Sequence, residues 1–122
     1  MKREPYHIAK DYRVLHHDEF PILFSGLNEA GERIVGSFIE ETDEGEMFYF
    51  YSLVNEVDFI RFVRREISYL GLLKNAQQIY ILSKNLKGRV KKVRATTFQT
   101  IPSDSLPLPS AFCPTVEAFS LA

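Results

Sequence analysis

Three tetrapeptides constrain most of what this chain can fold into: Asn28-Glu29-Ala30-Gly31, Thr42-Asp43-Glu44-Gly45 and Asn85-Leu86-Lys87-Gly88. Each opens on a side chain able to hydrogen-bond its own backbone. Each closes on a glycine, which adopts φ > 0 without a Cβ penalty. Turns of this kind join antiparallel strands through short hairpins. The runs they separate suit that role. Pro21 stands at a strand start, where a missing N–H does little harm, and Ile22 to Leu27 follow it. From Arg33 to Glu41 the residues alternate, with Ile34, Gly36, Phe38 and Glu40 on one face and Arg33, Val35, Ser37, Ile39 and Glu41 on the other. Met47 to Val54 is strongly β-prone, with large residues on both faces. Upstream, Tyr12, Val14 and His16 form one face of a further strand, and Arg13 and Leu15 the other.

At Asn55 the period changes. Asn55 is an N-cap with Asp58 three residues on, near the positive end of the helix dipole. Phe59, Ile60, Phe62, Val63, Ile67, Leu70 and Leu73 then recur at helical spacing. The spacing predicts a helix over about 56–70, stopped at Gly71, with Leu72 to Gln78 as a connection that has room for one more helical turn. Ile79 to Leu82 is a buried-type strand. Arg89 to Phe98 is a last strand whose alternation breaks at Lys91-Lys92, as at a bulge or a charge-protected edge. Pro102, Pro107, Pro109 and Pro114 then exclude a regular element, while Leu106, Leu108, Phe112, Val116 and Phe119 are too apolar for a free tail. The expected fold is α+β: a twisted antiparallel sheet of about five or six strands, one main helix on a face and a Pro-rich C-terminal strap. A chain of 122 residues fits one domain. We divide it into an arm (1–11, ordered only if Tyr6 and Ile8 are held), a core (12–100) and the strap (101–122).

Charge is split along the chain. Residues 1–60 carry 13 acidic and 5 basic side chains; residues 61–122 carry 10 basic and 3 acidic ones, so a net charge of −1 hides the asymmetry. Such a split fits complementary layers within one fold, a face prepared for a partner, or both. The basic set is Arg61, Arg64 and Arg65 on the helix and Arg89, Lys91, Lys92 and Arg94 on the last strand. On one side of the fold it would form a phosphate-binding patch, with Tyr69 or Tyr80 for stacking. The plainer alternative is pairing with the acidic half of the fold.

The remaining chemistry is sparse. His16-His17-Asp18-Glu19 has metal-ligand residue types, but adjacent strand residues point to opposite faces and would not meet one ion. Cys113 has no basic partner nearby in sequence, and an activated thiolate needs one. As the only cysteine, it forms no intramolecular disulfide, so a reducing cytoplasm is the expected compartment. Glu40, Glu41, Asp43, Glu44 and Glu46 form an acidic hairpin tip, which reads as a solvated turn. No GxGxxG, GxxxxGK[ST] or GxSxG motif is present, so no catalytic residue, metal ligand or cofactor is assigned. Met1 to Asp18 lacks the apolar core of a signal peptide, and no run of 18 apolar residues exists, so no membrane role is expected.

Tyr12 to Phe112 resembles a small bacterial family of unknown function. The resemblance rests on Pro21-Ile22-Leu23-Phe24, the turn ending in Gly31, the alternating strand to Glu41, Phe48-Tyr49-Phe50-Tyr51 and Leu106-Pro107-Leu108-Pro109. It implies the same strand-and-turn fold in a small stand-alone protein or front module, some of them beside mobile or defence genes. It carries over no catalytic residue. The expected function is a non-enzymatic protein–protein interaction module, a homo-oligomer or a subunit of a bacterial assembly. Its interface would draw on Phe48, Tyr49, Phe50, Tyr51, Leu106, Leu108 and Phe112. Alternatives are a nucleic-acid-binding accessory protein and a ligand-binding protein or small enzyme. The last would bring His16, Tyr49, Tyr51 or Arg61 together in a helix–sheet pocket.

Overall fold

All three turns form, and they order the sheet. In the computed structural model, which describes residues 4–114, Gly31, Gly45 and Gly88 have φ of +81°, +86° and +78°. The Asn28 carboxamide oxygen accepts from the N–H groups of Ala30 and Glu32, and that of Asn85 from Lys87 and Arg89. Chain reversals this tight set the strands they join side by side, and the one long connection, residues 55–77, also returns the chain to its sequence neighbour. The strands are β1 (Lys10–Asp18), β2 (Phe20–Leu27), β3 (Arg33–Glu41), β4 (Met47–Val54), β5 (Gln78–Lys84) and β6 (Val90–Thr96). They make one open, twisted, fully antiparallel sheet in the order β1-β2-β3-β4-β5-β6, the expected α+β class.

The sheet buries both faces. Across one, Val35, Phe50, Val54 and Ile79 meet two helices, α1 (Glu56–Val63) and α2 (Tyr69–Lys74), through Phe59, Phe62, Leu72 and Leu73. Phe59, Phe62, Leu72 and Leu73 are all sealed from solvent. Across the other, Phe24, Ile34, Tyr49, Tyr51, Leu53 and Leu82 form an aromatic-rich layer with no helix over it.

The expected single helix over 56–70 is two. Asn55 caps α1 through Asp58 N–H as expected, but α1 closes in a Schellman turn. Glu66 N–H bonds the Arg61 carbonyl, Arg65 N–H bonds that of Phe62, and Arg65 takes the left-handed φ of +64°. Ser68 then starts α2 by accepting from Gly71 N–H. Gly71 therefore lies inside the second helix instead of ending the first. A serine able to cap and an arginine tolerating the left-handed region outweigh an apolar stripe that runs on without a break.

Strand parity also departs from simple alternation. The register of β1 on β2 slips three times, and Asp11 and Glu19 take φ of +57° and +62°. Leu15 consequently packs with the helices, and His16 stands opposite Leu23 instead of sharing a clean face with Tyr12 and Val14. A further slip between Phe38 and Glu40 moves Glu40 opposite Phe48. The break at Lys91-Lys92 is both a register slip and an exposed edge.

The arm is anchored over its described part. Ala9 N–H bonds the Leu27 carbonyl, the Asn28 amide bonds that of Pro5, and Tyr6 and Ile8 pack on the aromatic layer. Ile8 sits where Gly26 has no side chain; a Cβ there would stand 2.2 Å from the Ile8 γ-methyl. A short 3-10 turn, Phe98–Thr100, leads into the strap, which contains a second, Ser103–Ser105, and plugs the helix face with buried Ile101 and Cys113. Residues 115–122 of the expected strap lie outside the described residues. Among the described residues, no helix is long and apolar enough to cross a membrane.

Candidate functional site

A concavity of about 720 Å³ opens between the helix face and the strap. Its floor is a row of side chains set by strand register: Leu23 of β2 lies opposite Ser37 of β3, which lies opposite Phe50 of β4. Phe62 and Tyr69 form the back. Leu106, Pro107, Ala111 and Phe112 of the strap form the outer wall, held by a 2.8 Å bond from Tyr69 N–H to the Ala111 carbonyl. Exposed His16, Glu40 and Asp104 stand among its lining, and no Lys or Arg does.

Two hydroxyls sit at the floor. Ser37 and Tyr69 hydrogen-bond each other, and burial drives the Tyr69 phenol well above its ordinary pKa, which the Ser37 bond offsets only in part. Tyr69 thus keeps its proton at neutral pH and is spent on Ser37 instead of standing free to stack. Cys113, sealed beneath Phe62 and Leu72, has its thiol pushed up to about 11 by burial, with Arg65 opposing. A thiol at that value is protonated and inert at neutral pH. The groove thus has a mostly apolar floor and wall, and the two hydroxyls at its base bond each other.

The remaining expected site residues scatter. Tyr49, Phe50 and Tyr51 are buried by the chain itself, Phe48 and Leu106 are half-buried, and Leu108 and Phe112 are exposed at 72% and 41%. Tyr49 and Tyr51 point away from the groove into the opposite layer, and Arg61 lies on the exposed outer side of α1, 3.9 Å from Glu66. Of the four groups expected to converge in a helix–sheet pocket, only His16 lines it. Among the described residues, His16, His17, Asp18 and Glu19 form no group able to hold a metal ion.

The basic set divides in two. Arg61, Arg64 and Arg65 belong to α1 and its turn, and α1 packs on Leu15 and Val35, towards the β1 edge. Arg89, Lys91, Lys92 and Arg94 lie along the opposite edge, on β6 and the turn before it. There Arg89, Lys91, Lys92 and Lys87 share a groove of about 580 Å³ with Glu44 and Glu46 of the neighbouring hairpin tip. Opposite charges of the two halves thus share a groove there, without an ion pair between them among the described residues. Within the acidic half itself, the Arg33 guanidinium grips Glu56 at 3.0 and 3.2 Å and lies 4.4 Å over the Phe59 ring, fixing α1 to β3.

Sequence reasoning missed Lys84. It ends β5 in register with Tyr80 and Leu82, so its side chain enters the aromatic layer. The parity of a short buried-type strand was the available signal. No protein-family model, no curated protein and no solved structure matches this chain.

Proposed function

We propose that the chain is a non-enzymatic interaction module that receives a short apolar segment of a partner protein, bearing a Lys or Arg, in the groove between sheet and strap. The observation that carries this reading is the groove's make-up. A mostly apolar floor and wall open to solvent beside exposed Phe112, with His16, Glu40 and Asp104 at hand and, among the described residues, no Lys or Arg lining it. Apolar surface of this kind supplies the buried centre of an interface, and charges around it set orientation and on-rate. The sheet edges support the groove over strand addition as the docking mode. β1 is broken by three register slips, and β6 carries a row of cations, both of which discourage an added strand. A single buried thiol fits work in a reducing cytoplasm, and the resemblance to a bacterial family suggests a bacterial assembly.

The test places a photo-crosslinking phenylalanine analogue at Phe112 and irradiates producing cells. The expected result is one covalent adduct whose crosslinked peptide is apolar and contains Lys or Arg. Joint reversal, Glu40→Lys with Asp104→Lys, should weaken capture about tenfold while circular dichroism stays unchanged. An adduct indifferent to the reversal, or formed only between copies of this chain, would overturn the reading.

A further inference from the structure

The face of the sheet without helices holds a second concavity, of about 500 Å³, unrelated to the groove. Phe24, Tyr49, Tyr51 and Leu82 make its apolar base, and the arm walls it through Tyr6 and Ile8. Into it projects one cation. The Lys84 amine lies 4.8 Å from the centre of the Tyr49 ring, 4.9 Å from that of Tyr51 and 5.9 Å from that of Phe24, and it donates to the Tyr51 hydroxyl.

Among the described residues this cation has no counter-charge. Among the described residues it forms no ion pair, and Glu41, which faces Tyr49 from β3, does not reach ion-pair distance of it. Burial alone lowers the hold of the amine on its proton, with no carboxylate working in the other direction. Buried ammonium groups are ordinarily paired, because desolvation is costly and ring faces replace only part of the lost hydration. Tyr12, half-exposed with its ring 5.7 Å from Phe24, adds a further hydroxyl near those of Tyr49 and Tyr51. The pocket thus combines an apolar wall of rings set edge to face, a cation without an ion pair among the described residues, and hydroxyl donors on one side of it. Its volume falls within the roughly 300–1,000 Å³ typical of small-molecule sites.

We propose that this pocket binds a small organic acid, an apolar ring or short alkyl body carrying one carboxylate, with the carboxylate on Lys84 and the tyrosine hydroxyls and the body on Phe24, Tyr49 and Leu82. A carboxylate supplies the missing counter-charge and accepts charge-assisted hydrogen bonds, and a ring stacks or sits edge-on against the aromatic base.

Benzoate serves as probe, with benzamide as its neutral isostere and inorganic phosphate as an anion without an apolar body. Each is titrated into the full chain while NMR follows the Lys84 side-chain nitrogen and the ring signals of Tyr49 and Tyr51. Benzoate should shift all three saturably, and the two controls should not at equal concentration. Lys84→Met should weaken benzoate at least about tenfold, the worth of one charge-assisted bond, and Tyr12→Phe by a few-fold. The measurement on the unaltered chain decides the matter even where Lys84→Met does not fold. An unmoved Lys84 signal, equal binding of benzamide or phosphate, or full binding by folded Lys84→Met would each overturn the proposal and leave Lys84 as a structural staple of the aromatic layer.

Discussion

The two faces of this sheet bury similar amounts of aromatic side chain and are closed by different means. One is closed by capped helices and a plugging strap that follow β4 and β6 in sequence. The other is closed by a few arm residues before β1, pinned by two hydrogen bonds and one methyl over a glycine. Regular structure satisfies its own backbone and can seal a face completely, as at Phe62, Leu72 and Cys113. An extended arm covers only what it crosses, which leaves a pocket and a half-buried cation beside it. The thinly covered face is therefore where a small molecule finds room, and the thickly covered one offers a groove only where the strap stands off the sheet.

The contrast can be broken from either side. Phe62→Ala on the helix face should cost about 3–5 kcal/mol, since the ring is wholly buried among neighbours with little freedom to collapse. Urea denaturation measures it, and a loss below about 1 kcal/mol would mean that the helix layer is not what holds the fold. Gly26→Ala should act on the other face alone. The new methyl meets Ile8, so the arm must lift, at roughly 1–3 kcal/mol. Hydrogen exchange should then speed at Ala9 N–H while the α1 amides stay protected; equal exchange at Ala9 would show that the arm is not seated as described. The smallest effect is expected from Ser52→Ala. Ser25, Ser52 and Ser83 hold buried hydroxyls on the helix face without a hydrogen-bond partner among the described residues, so removing one should leave stability within about 0.5 kcal/mol or raise it. A loss above about 1 kcal/mol would reveal a hydroxyl bond that the packing conceals.

The sheet was legible because its turns are local. Asn28, Asn85 and three glycines specify their reversals through contacts within four residues, and strand order follows from short connections everywhere but at β4–β5, where two helices intervene. The helix break was less legible, because an unbroken apolar stripe masks the cap at Ser68 and the left-handed Arg65. Strand parity in β1 was not legible, since bulges depend on what the neighbouring strand and the helices demand of Leu15. The sites were read least well. Phe48 to Tyr51 stood out as interface candidates for their size, yet the chain covers most of them with Tyr6, Ile8 and the helices, segments remote in sequence. Lys84 drew no notice among the ten basic residues of the second half, because its distinction is the rings around it and not its own identity.

The neighbour-by-neighbour strand order has a consequence for how the molecule is made. Pairing can advance from β1 to β4 as the chain emerges, each hairpin closing on the one before, and only the β4–β5 step waits for the two helices between them. The seal over Phe62 and Leu72 runs on another clock, since Cys113 is among the last described residues to arrive. A chain interrupted after β6 would possess its sheet and yet show bare aromatic surface to chaperones and proteases. Cys113 thus acts as a mark of completion, separating a finished molecule from one that only has its strands in order.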